Sequence, residues 1–211
     1  LLGGTNMSTT NELLYYIPAG QYGKEGVLAL LEQHPEIKFV SLVGIDLAGN
    51  DTDEKIPMSA FFDDYESFFE GRAVQTDGSS VVLTNIATLN NARVDMWGDP
   101  SVNWFVDYNY ENIDPVTGLP TGTLRIPAFL MHNYRYVDSR SILKRSCDYV
   151  RAELLALIKE HGLPGMPHVK ADEVVDIIFT SATELEFWVK TPSRTVTKKE
   201  LSVSQKLQEQ Y

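Results

Sequence analysis

Apolar and polar positions divide the chain into short elements. Residues 24–34 place Val27, Leu30 and Leu31 on one helical face, and Pro35 follows, which predicts a short helix. The apolar run Lys38-Phe39-Val40-Ser41-Leu42-Val43-Gly44-Ile45, within residues 37–46, predicts a strand. The turn Ala48-Gly49-Asn50-Asp51 and the return Glu54-Lys55-Ile56-Pro57 make it a hairpin. Ser59, a helix-capping residue type, opens a predicted helix through Glu70. Phe61, Phe62, Tyr65, Phe68 and Phe69 mark its buried side, and Gly71 ends it. Residues 81–89, 93–97, 102–106 and 123–132 read as further strands, with a turn at Asn90-Asn91. Asp114-Pro115, Gly118, Pro120 and Gly122 predict an exposed loop over 109–122.

The strongest helical signal covers 139–161, capped by Asp138. Leu143, Cys147, Val150, Leu154 and Ile158 recur at spacings of three and four, which predicts an apolar stripe in the core. Gly162, Pro164, Gly165 and Pro167 stop the helix. Val174-Val175-Asp176-Ile177-Ile178-Phe179 then leads into Ser181-Ala182-Thr183-Glu184-Leu185-Glu186-Phe187-Trp188-Val189-Lys190, read as a strand. Strand side chains alternate faces, so Glu184 and Glu186 would point the same way. Two carboxylates on one face repel unless a cation, a proton or a basic partner lies between them. Residues 198–211 are polar with a helical leaning. The order of elements defines an α+β chain. Residues 1–23 read as an irregular arm, with Met7 as a natural start and residues 1–6 as a cloning remnant. Residues 24–135 read as a β-rich domain, and 136–211 as the beginning of a larger one.

Composition narrows the function classes. The 211 residues carry 43% hydrophobic and 10% aromatic side chains, enough for a core. A formal net charge of −11 argues against a nucleic-acid-binding protein, which needs clustered Lys and Arg. No apolar run approaches a membrane span. A single cysteine, Cys147, excludes an internal disulfide and sits on the apolar stripe as a core thiol. A reducing, cytoplasmic setting follows as the expectation. The histidines His34, His132, His161 and His168 show no metal spacing. No phosphate-binding glycine loop of the Walker type occurs.

Four stretches, in order, resemble the glutamine synthetase family. They are the hairpin from Lys38 to Pro57; Asp77-Gly78-Ser79-Ser80 with the later Val94-Asp95-Met96; Asp138-Ser139-Arg140-Ser141-Ile142-Leu143-Lys144-Arg145; and Glu184-Leu185-Glu186-Phe187. They look like that family's opening β-grasp hairpin, its Asp-Gly-Ser-Ser loop with Ser-Asp-Met, its Asp-Pro-Arg helix and its Glu-Pro-Glu-Phe metal strand. Each motif alone is weak, and their order and spacing make the signal specific. Ser181-Ala182-Thr183 and Leu185 depart from the family's Gly-Pro and Pro, which marks a divergent branch of the bacterial type.

The resemblance implies a β-grasp-like amino-terminal domain followed by the first helix and strand of a glutamine synthetase-type catalytic domain. It implies ATP-dependent condensation of glutamate with ammonia through a γ-glutamyl phosphate. The metal ligands would be Glu184 and Glu186, holding Mg²⁺ or Mn²⁺, hard cations that prefer oxygen. Asp77 would bind and help deprotonate ammonium, with Ser80 beside it. The loop would work within a neighbouring subunit's site, in a homo-oligomeric ring. The family's remaining ligands lie beyond Tyr211, so this chain reads as an amino-terminal fragment inactive alone. Plainer readings stand beside these: a solvated strand face for the glutamates, an ordinary Asp-Gly turn for Asp77, a strand-end carboxylate for Asp95. Arg140 and Arg145 are expected to pair with surface carboxylates. Two other functions share the pattern. One is a γ-glutamyl-amine ligase of the same fold, against which Asp77 speaks. The other is a non-catalytic scaffold, against which Glu184, Glu186 and Asp77 speak.

Overall fold

The structure, a computed structural model, describes residues 12–83, 88–90, 92–184 and 186. The readings of the first residues of the arm, of Asn91, of residues 84–87 within the 81–89 run, and of residues 187–190 and 198–211 lie outside these. The chain divides into two units, 1–175 and 176–211, each described by itself.

In the first unit the elements run β1 (Tyr16–Ile17), α1 (Lys24–Glu32), β2 (Ile37–Ile45), β3 (Asp51–Pro57), α2 (Met58–Asp63), β4 (Val74–Asp77), β5 (Arg93–Gly98), β6 (Trp104–Ile113), β7 (Pro120–His132), β8 (Arg135–Tyr136) and α3 (Ser139–His161). It is a mixed α and β fold with a mostly antiparallel sheet. The strands run in the order β1-β6-β7-β2-β3. The first part of β7 pairs with β2 in parallel, Leu42 opposite Ile126, and with β6 antiparallel, Val106 opposite Leu124. Its last part pairs with β5, Met96 opposite Leu130, and then with β8. Over residues 124–130 one face of β7 is buried: Leu124, Ile126, Ala128 and Leu130 are inside, and Arg125, Pro127 and Phe129 between them are only partly covered.

Where the chain is less central, the alternation is cleaner. Trp104, Val106 and Tyr108 of β6 point inward, and Phe105, Asp107 and Asn109 outward. Phe61 of α2 packs against Phe68, Tyr65 and Trp104 with ring centroids 5.0, 5.0 and 6.5 Å apart, and Phe69 stacks on Trp104 at 5.4 Å. The predicted helix from Ser59 to Glu70 is thus apolar on the expected side but broken. Its α-helical part ends at Asp63, and Tyr65–Phe68 forms a 3₁₀ turn. Ser59 does not cap it: Pro57 holds that position.

Three further expectations are corrected. The loop predicted over 109–122 shrinks, because β6 extends to Ile113 and β7 begins at Pro120. Asp114 explains this: its backbone N–H donates to Leu119, and its side chain accepts from Thr117 and pairs with Lys38 at 3.0 Å, closing a tight connection. α3 forms as expected, but its apolar stripe is not in a core. Leu143, Val150 and Leu154 are exposed and Cys147 is half-buried. Periodicity sets which residues share a face, whereas burial needs a partner element. Lastly, residues 174–184 and 186 have no regular secondary structure. An extended segment becomes a strand only by pairing its backbone groups.

The β2–β3 turn is knotted by Asp46, which is fully buried. Its carboxylate accepts the N–H groups of Ala48, Asn50 and Val82, each at 2.9 Å, and the Asn50 side chain at 3.0 Å. Burial pushes its pKa up. The hydrogen bonds from Asn50, Val82 and Ala48 outweigh that, so the net shift is downward. A carboxyl whose folded pKa lies below its unfolded value, about 3.9, stabilises the fold above that value. The contribution is lost as pH falls through the folded pKa. We expect Asp46→Ala to cost roughly 3 kcal/mol of stability at neutral pH, since several hydrogen bonds to one buried charged acceptor vanish together. Urea unfolding should show this, and the difference from the parent should shrink below about pH 4.

Candidate functional site

The Asp77 loop sits at the end of β4, which pairs antiparallel with β5 so that Asp77 faces Arg93 and Gln75 faces Asp95. Asp77 closes the strand and caps the 3₁₀ turn Gly78–Ser80, its Oδ1 accepting the Ser79 N–H at 2.7 Å. Short polar side chains that hydrogen-bond the backbone two residues on stabilise such turns. Gly78 donates its N–H to the Ala92 carbonyl at 2.6 Å. A Cβ at Gly78 would lie 2.5 Å from the Leu89 carbonyl oxygen and 2.9 Å from that of Ala92. Only glycine fits this close approach of two backbones. Just past the turn, Val81 and Leu83 are buried, and the Val82 N–H is held by Asp46. The loop is therefore anchored on both sides while Asp77, Ser79 and Ser80 stay exposed.

The electrostatics suit an open carboxylate. Hydrogen bonds from Ser79, its side chain first and its backbone second, hold the Asp77 carboxyl below the usual range. Asp77 is thus an ionised, solvent-facing anion at neutral pH. Arg93 does not neutralise it through a side-chain pair; its Nε donates instead to Asp95 at 2.6 Å. Asp95 is therefore a paired carboxylate within β5. The turn thus presents a carboxylate to solvent.

Glu184 and Glu186 fall in the second unit, and both are exposed. Neither lies on a strand, so period-two geometry does not align them. Their oxygen chemistry suits Mg²⁺ or Mn²⁺. Among the described residues, however, no group of three or more His, Cys, Asp or Glu side chains is placed to hold a metal ion. The described carboxylates do not make a metal centre by themselves.

Two arrangements escaped the sequence reading. One is Asp46, whose only signal was an Asp at a strand end before a Gly-Asn turn. The other is Arg140, expected to pair with a surface carboxylate. Its partner is Asp99, which is buried, at 2.5 Å. Burial raises the Asp99 pKa, but hydrogen bonds from Ser101 and Arg140 bring it below the usual range. The Asp99 carbonyl also accepts the Trp104 indole N–H at 2.9 Å. Asp138 caps α3 as expected, accepting the Ser141 N–H at 2.8 Å, and it also takes the Leu130 N–H of β7 at 3.2 Å. That second bond fastens the start of α3 to the end of β7.

No protein-family model matches the chain, and no curated protein matches it. Among solved structures, a cryo-electron-microscopy structure of Plasmodium falciparum glutamine synthetase aligns with a TM-score of 0.42 and 14% sequence identity. The alignment covers 64% of this chain and 24% of that one, so the chain spans about a quarter of its length. No helix among the described residues is long and apolar enough to cross a membrane.

The close approach at Gly78 gives a direct test. Gly78→Ala is expected to destabilise the chain by about 1–3 kcal/mol, because the methyl meets backbone oxygens that cannot step aside without moving β5. Chemical denaturation measures the loss. Amide hydrogen exchange should show it concentrated at residues 78–82 and 92–94.

Proposed function

We propose that this chain carries the ammonium-binding loop, and the first metal-binding carboxylates, of a glutamine synthetase-like ligase. The β-rich part of the first unit would be its β-grasp-like amino-terminal domain. The observation that carries this reading is the Asp77 turn, an ionised carboxylate left open to solvent on a loop fixed by Gly78 and Asp46. A fixed anion concentrates ammonium and lowers the cost of drawing a proton from it as the nitrogen becomes nucleophilic. Ser80 stands exposed on the same turn, where its hydroxyl would help hold the cation. The ordered motifs of the sequence add the reaction: glutamate activated by ATP as a γ-glutamyl phosphate, then attacked by ammonia. Glu184 and Glu186 would contribute oxygen ligands for Mg²⁺ or Mn²⁺ once further donors join them. A loop that is rigid and outward-facing is also suited to entering a neighbouring subunit's site, which favours a homo-oligomer with shared active sites.

The amine alternative is less favoured, because an open carboxylate recognises a small cation by charge and supplies no surface for an organic chain.

The test is ADP release from a polypeptide containing this chain, assayed with ATP, Mg²⁺, glutamate and ammonium. Turnover should require both glutamate and ammonium. Asp77→Asn should lower it by about 10²–10⁴-fold, the usual range for a lost general base, and relief at higher pH is expected as free ammonia replaces ammonium. Turnover indifferent to ammonium, or an unaffected Asp77→Asn enzyme, would sink the proposal. The 211-residue chain alone is expected to form no glutamine, which a radiolabelled-glutamate assay checks.

A further inference from the structure

The first turns of α3 run against the helix dipole. A helix N-terminus favours negative charge and disfavours cations. Yet the first turn of α3 contains no acidic residue, and Arg140, Lys144 and Arg145 follow in its opening turns. Helix stability accounts for Lys144, which pairs with Asp148 at i,i+4, but not for Arg140 and Arg145. They border a cavity of about 570 Å³ between α3, the end of β7, β8 and the segment after β5, within the usual size range of small-molecule sites.

The cavity has two distinct sides. Phe129 and Tyr136 form an aromatic wall, with ring centroids 5.3 Å apart and planes inclined at 59°. The guanidinium of Arg140 lies over the Phe129 ring at 5.0 Å. One of its nitrogens pairs with Asp99, while Nη1 is buried without a hydrogen-bond partner. A buried, unpaired donor on a cation is costly. Among the described residues Arg145 reaches the Tyr136 carbonyl, at 3.4 Å, a long bond. Lys144 pairs with Asp148, one helical turn on. Arg140, Lys144 and Arg145 thus line the cavity beside the carboxylates of Asp99 and Asp148, in a chain of net charge −11.

We infer that this cavity binds a small aromatic monocarboxylate, its flat body against Phe129 and Tyr136 and its carboxylate between Arg145 and Arg140. A carboxylate answers the guanidinium groups, and the ring wall offers an aromatic body a surface that a phosphate leaves unused. A planar carboxylate also matches the guanidinium fork. The site is separate from the Asp77 turn and does not depend on the ligase reading.

Isothermal titration of the whole 211-residue chain with benzoate, benzamide and inorganic phosphate tests this. Benzoate should bind saturably, at least tenfold tighter than its neutral isostere benzamide and tighter than phosphate. Arg145→Gln, an exposed position, should weaken benzoate at least tenfold, while Lys159→Gln at the far end of α3 leaves it unchanged. Should Arg145→Gln fail to fold, Tyr136→Ala serves instead, with the same loss for benzoate. Absence of saturable benzoate binding, equal binding of benzamide, tighter binding of phosphate, or equal loss in Lys159→Gln would each overturn the inference.

Discussion

The backbone pairing of β7 is the constraint on which the rest of the first unit depends. Its first residues join β2 and β6, and its last residues join β5 and β8. Each ladder satisfies N–H and C=O groups that would otherwise be buried unpaired. The same ladders fix positions far apart in sequence. β7 sets the register of β5, β5 sets that of β4, and β4 delivers Asp77 to the rim. In that same last part of β7, the Leu130 N–H reaches Asp138 and so aims α3. A register slip in β7 would therefore move both the Asp77 turn and the Arg140 cluster.

Four of the chain's 29 acidic residues are plainly structural. Asp46, Asp99, Asp114 and Asp138 are buried, and each spends its oxygens on backbone N–H groups or a cation at the end of a strand or the start of a helix. Carboxylates do this well, because a charged acceptor makes roughly twice the bond that a neutral one does. Asp77 caps its turn in the same way, yet it is left exposed. That contrast between a buried cap and an open one separates the scaffold from the candidate chemistry. Net charge alone cannot draw it.

The sequence was informative where the signal is local. The β2–β3 hairpin, the aromatic face of residues 61–69, α3 with its Asp138 cap and the Asp-Gly turn at Asp77 each follow from residues within a few positions of one another. It misled where the outcome depends on a distant partner. Leu143 and Leu154 have core spacing on α3 and are exposed, because spacing names a face and not what lies against it. Arg140 has the composition of a surface cation and pairs with a buried carboxylate 41 positions away. Glu184 and Glu186 have strand alternation but no ladder to enforce it.

By itself, then, the sequence determined the β2–β3 hairpin, α3 with its Asp138 cap, the turn at Asp77 and the residue types at the candidate site, since propensity, period and turn formation act over a single turn or pleat. The tertiary structure alone decided that β7 is the hub, that Asp46 locks the Val82 segment behind the Asp77 turn, and that Arg140, Phe129 and Tyr136 share one cavity. These arise from pairing and packing between segments tens of residues apart, and no local pattern encodes which distant partner completes a ladder or fills a face.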